Sequence, residues 1–193
     1  ILSAISQVLY MDLRTINQWM ERIEASVTNI GAKFDIIFLS FLLSVNCVSI
    51  SGYNKIFSRK SCPLSERGSF LMELTGGRPL IKESVSLRIK GKTLGDYFPV
   101  TTGMSDPNIV KNEVIRVSVM DLFFILWDGI ISGNKEDELK SEVMKFSSSQ
   151  NEIGFIKKYG DCIIKSIILN ELVGAKLKLN DYADIVELAC ILE

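Results

Sequence analysis

Apolar residues recur along the first thirty positions at a fixed interval. Leu9, Leu13, Ile16, Met20, Ile23, Val27 and Ile30 follow one another at alternating spacings of four and three, the seam of a heptad repeat. Asp12, Arg14, Gln18, Glu21, Arg22 and Glu24 fall between them and make a wet side. The spacing predicts one long amphipathic helix over residues 1–31, about 45 Å at 1.5 Å per residue. Gly31 supplies its stop. Ile5, Val8 and Trp19 widen the stripe beyond a strict two-stranded seam. Two uses therefore stand side by side: self-association through the helix, or packing on the chain's own core.

The pattern changes after Gly31. Residues 34–48 are apolar all round and predict a buried helix. Residues 49–79, with Gly52, Pro63, Gly68, Gly76 and Gly77, read as loop. Val85, Leu87 and Ile89 alternate with polar neighbours, as do Ile115, Val117 and Val119, which predicts a small antiparallel sheet around residues 84–119. Ser118-x-x-Asp121 resembles a capping box and opens a helix over 122–131. Further helices are expected over 136–146 and 152–173, and a last one over 181–192 with Asn180 as its cap. The expected fold is mainly α (α+β). It is a single domain over residues 1–193: a multi-helix, bundle-like domain with a long N-terminal amphipathic heptad helix and a small antiparallel β insertion. Its segments are 1–31, 34–48, the loop-rich and β stretch 49–119, and the helical part 119–193.

Composition narrows the chemistry. The 193 residues contain no histidine, which removes Ser-His-Asp and Cys-His nucleophiles and His-bound zinc. Cys47, Cys62, Cys162 and Cys190 contain no C-x-x-C pair, so neither a four-thiolate metal site nor a disulfide framework is expected. Cys47 and Cys190 read as small core hydrophobes in a reducing, cytoplasmic setting. Gly91-Lys92-Thr93 lacks the first glycine and the helix of a phosphate-binding loop. Glu138-x-Lys140 after Asp128 reads as a solvated helix face rather than a nuclease site. No catalytic residue, metal or cofactor is expected. The apolar run 36–50 falls short of the roughly 20 residues that span a bilayer, so no membrane partner is expected either.

Charge is unevenly spread. Residues 1–120 carry a net of +4 and residues 121–193 a net of −5. Residues 52–92 hold nine basic residues against three acidic ones. Lys55, Arg59, Lys60, Arg67, Arg78, Arg88, Lys90 and Lys92 are the candidate nucleic-acid contacts, with Tyr53, Phe57 and Phe70 as stacking faces. An acidic protein surface would suit the same bases. The seam, the basic stretch and the missing catalytic groups predict a non-enzymatic oligomeric scaffold that binds itself and single-stranded RNA. In texture it resembles viral nucleocapsid or replication-factory matrix proteins. The alternatives are an adaptor gripping one protein partner through a helical surface and, remotely, a carboxylate-dependent metal enzyme.

Overall fold

The structure is a computed structural model that describes residues 1–29, 34–58, 64–88, 114–132 and 178–191. The described residues are mainly helical. Helices α1 (Leu2–Val8), α2 (Leu13–Asn29), α3 (Ile36–Val48), α4 (Ile50–Ser58) and α5 (Leu64–Leu74) precede strands β1 (Ser84–Arg88) and β2 (Val114–Ser118). Helices α6 (Val119–Ser132) and α7 (Leu179–Ile191) follow. The expected helices over 136–146 and 152–173 lie outside the described residues.

The first helix is not continuous, and capping chemistry explains the break. Asp12 Oδ1 accepts from the backbone N–H of Thr15 at 2.7 Å, so it starts a new helix instead of continuing the old one. Upstream, Met11 N–H donates to the Ser6 carbonyl and Tyr10 N–H to the Gln7 carbonyl, at 3.0 and 3.1 Å. That pair of bonds is a Schellman end. Its left-handed position is filled by Tyr10, at φ 52°, where a non-glycine residue costs roughly 1–2 kcal/mol. Distant contacts hold it there. The Tyr10 hydroxyl donates to the Pro79 carbonyl at 2.5 Å, and the Arg78 guanidinium lies 5.2 Å from its ring centre. The seven-residue repeat over residues 1–31 is thus divided between two helices.

Helix α3 forms the centre of the fold. Every residue from Phe38 to Val45 is buried. Its two buried serines satisfy themselves: Ser40 Oγ donates to the Ile36 carbonyl and Ser44 Oγ to the Phe41 carbonyl, each at 2.7 Å. Asp35 caps the helix by accepting from Phe38 N–H at 2.8 Å. Its own N–H donates to the Tyr182 hydroxyl at 2.8 Å, which joins the start of α3 to α7.

Residues 49–79 are helical over much of their length, against the loop expected there. Ser49 Oγ accepts from Gly52 N–H at 3.0 Å and caps α4 directly after α3 ends. Tyr53 and Ile56 then turn inward. Gly52 belongs to this helix because Leu74 packs over it, with a methyl 2.5 Å from where a Cβ would sit. Here the glycine marks close packing rather than a turn. Helix α5 ends in a second Schellman motif, with Gly76 and Gly77 at φ 61° and 77°, the residue type that conformation favours.

An aromatic cluster fills the space between α3, α5 and α6. Phe123 lies within 6.5 Å, centre to centre, of Phe38, Phe41, Phe70, Phe124 and Trp127. Strands β1 and β2 pair antiparallel with Val85 opposite Val117. Val119 N–H donates to the Glu83 carbonyl at 3.0 Å where the second strand becomes α6. Ser118 Oγ accepts from Asp121 N–H at 3.4 Å. At α7 the start differs from the expected Asn180 cap: the helix begins at Leu179, and Asp181 reaches back to accept from Lys178 N–H at 2.7 Å.

Candidate interaction surfaces

The heptad residues do not share one fate. Leu9 is buried at the end of α1, Ile23 is buried on α2, and Ile16 is half-buried. Leu13, Met20 and Val27 are 75%, 42% and 54% exposed. Ile30 lies outside the described residues. The inner face of α2 is set by Trp19, Ile23 and Ser26, with Trp19 Nε1 donating to the Ser40 carbonyl at 2.9 Å. At 3.6 residues per turn, Leu13, Met20 and Val27 lie about a quarter-turn away from Trp19. Met20 and Val27 line a shallow groove of about 480 Å³ together with Asn17, Glu21, Ile23, Glu24 and Thr28. The seam therefore splits into an inner half that builds the core and an outer half open to solvent.

The candidate basic contacts whose side chains are described are held by their own chain. Lys55 pairs with Glu73, whose other oxygen accepts from Ser51 Oγ at 2.9 Å. Arg67 pairs with Asp128 at 2.8 Å across 61 positions, and its guanidinium lies 4.6 Å from the centre of the Phe124 ring. Arg78 covers Tyr10, as described above. Of Arg88 the structure describes only the backbone, while Arg59, Lys60, Lys90 and Lys92 lie outside the described residues. The expected stacking faces are not surfaces: Tyr53 and Phe70 are buried and Phe57 is packed against the core.

One constellation had no counterpart in the sequence reading. Arg22, placed on the wet side by the heptad pattern, is half-buried, and its Nη1 donates to Asn46 Oδ1 at 2.9 Å. The same nitrogen lies 3.4 Å from Cys47 Sγ. Cys190 Sγ donates to that Asn46 oxygen at 3.6 Å. The available signal was local: Arg22 stands three residues after Trp19 and four before Ser26, on the flank of the inner face. Next to this cluster the Tyr53 hydroxyl is buried with no hydrogen-bond partner among the described residues. Burial, helped by Glu187, Cys190 and Asp184, pushes it well above the usual tyrosine range. Burial also raises Tyr182, to about 12.

Among the described residues no group of three His, Cys, Asp or Glu could hold a metal ion, and no helix is long and apolar enough to cross a membrane. No family model, curated protein or solved structure matches the chain.

Proposed function

We propose that the protein is a non-enzymatic assembly protein that self-associates through the outer face of α2. One observation carries this reading: three apolar residues at seven-residue spacing stand open on a helix whose other face is committed to the core. Exposed apolar surface rimmed by polar residues is characteristic of association sites. The stripe is also symmetric about Met20, seven residues from Leu13 on one side and from Val27 on the other. A two-fold, antiparallel pairing would set Leu13 of one copy against Val27 of the other, with the two Met20 side chains between them. It would also keep the Glu24 carboxylates of the two copies apart, which a parallel pairing would not. In this reading the helices form a bundle-like domain and the paired strands are an insertion in it.

The absence of histidine supports a structural role over nucleophilic or acid–base chemistry. Nucleic-acid binding takes second place, because Lys55, Arg67 and Arg78 contact groups of their own chain. Light-scattering mass across a concentration series tests the assembly. A mass that rises with concentration supports it, and a single-chain mass at every concentration refutes it. A single-chain mass with a different protein bound on the same face would favour the adaptor.

A further inference from the structure

Cys47 and Cys190 are far apart in sequence but sit on the two members of one hydrogen-bonded pair, Cys47 against Arg22 and Cys190 against Asn46. Each is the last residue but one of its helix, Cys47 in α3 and Cys190 in α7. The Asn46 oxygen accepts from the Cys190 thiol and from Arg22, and Arg22 in turn lies against Cys47 Sγ. Both cysteines are half-buried. A guanidinium beside a sulfur favours the thiolate, the form that attacks an oxidant. Position at a helix end matters as well. Ser49 bonds back to Val45 and opens α4, so the end of α3 is held in place, whereas the last turn of α7 can open at little cost and bring Cys190 toward Cys47 without disturbing α3.

We propose that Cys47 and Cys190 are a redox-sensitive dithiol that a hydroperoxide oxidises to an intramolecular disulfide, tying α7 to α3. The Cys47 thiolate attacks the peroxide O–O bond, which breaks to give a sulfenic acid and, after protonation, one water from hydrogen peroxide. The Cys190 thiol then attacks the sulfenic sulfur, the S–S bond forms, and its hydroxyl leaves with the thiol proton as a second water. Two thiols and one peroxide become one disulfide and two waters, with two electrons passing from sulfur to oxygen. The bond would close a loop of most of the chain, which restricts the unfolded state strongly in the chain-entropy picture.

The test uses the full chain carrying Cys62→Ser and Cys162→Ser, so that only these two thiols remain. Hydrogen peroxide is added to the folded protein, and intact mass, peptide mapping and melting temperature are recorded. The expected product has lost the mass of two hydrogens, links the Cys47 peptide to the Cys190 peptide within one chain, melts higher, and reverts with dithiothreitol. Arg22→Met should slow disulfide formation several-fold at fixed peroxide with the helical spectrum unchanged, and Arg22→Lys should restore part of the rate. Should Arg22→Met not fold, the two-thiol chain decides alone: peroxide must join the Cys47 and Cys190 peptides within one chain. Stepwise oxygen addition to separate cysteines, disulfides only between chains, or two thiols that stay alkylatable would each overturn the proposal.

Discussion

Trp19 and Met20 are neighbours in sequence, yet one is closed into the core and the other is open to water. The same contrast runs along α2, with Trp19, Ile23 and Ser26 inside and Leu13, Met20 and Val27 outside. Apolar spacing reports that a helix has an apolar sector; it does not report how that sector is divided. Here the heptad seam straddles the boundary. One half is covered by α3 and α7, and the other half has no cover among the described residues. Arg67 repeats the lesson for charge, since a base that reads as a surface contact in sequence is joined to Asp128 and laid on Phe124.

The largest effect expected is on the closed side. Trp19→Ala removes a fully buried ring and its hydrogen bond to Ser40, and should cost about 3–5 kcal/mol in chemical denaturation. Met20→Ala should change the stability of a single chain by no more than about 0.5 kcal/mol. Similar losses for the two would erase the contrast. For the same reason Ile16→Asp with Ile23→Asp strikes the core, and the pair should unfold the chain rather than dissociate an assembly.

Next in size is the Arg67–Asp128 pair, whose side chains are 21% and 19% exposed. A double-mutant cycle with Arg67→Ala and Asp128→Ala should give a coupling of about 1 kcal/mol. A coupling of zero would return Arg67 to the surface bases available for a ligand.

The smallest effect concerns two capping aspartates with opposite signs. The Thr15 backbone N–H holds Asp12 below the ordinary carboxylate value of 3.8. Its contribution is present above that value and is lost as pH falls through the depressed pKa. Burial raises Asp35 above 3.8, against the hydrogen bonds from Phe38 and Ile37. The folded state therefore holds the Asp35 proton more tightly, and the advantage present at low pH is lost as pH rises through the raised pKa. Asp35→Asn keeps a capping oxygen and removes the buried charge. It should match the wild type in acid and equal or exceed it near pH 7. A variant weaker than wild type only at neutral pH would contradict the sign.

The mainly helical character was legible because apolar runs such as 34–48 need no distant partner to declare themselves. The break after Val8 was not legible, since it depends on Tyr10 being held by Arg78 and Pro79 from far along the chain. Helices α4 and α5 were hidden by Gly52 and Gly68, residues that punctuate loops elsewhere. Gly52 is explained only by the approach of Leu74. The cluster of Arg22, Asn46, Cys47 and Cys190 was illegible for the same reason. Its members come from three helices, and no local spacing joins them.

The most direct measurement compares the solution mass of the wild type with that of Met20→Glu/Val27→Glu, which places two carboxylates on the outer face of α2 and leaves Trp19 and Ile23 untouched. The account predicts a concentration-dependent assembly for the wild type and a folded, helical variant near the single-chain 21.6 kDa. A wild type that stays at the single-chain mass, or a variant that keeps the wild-type mass, would contradict it.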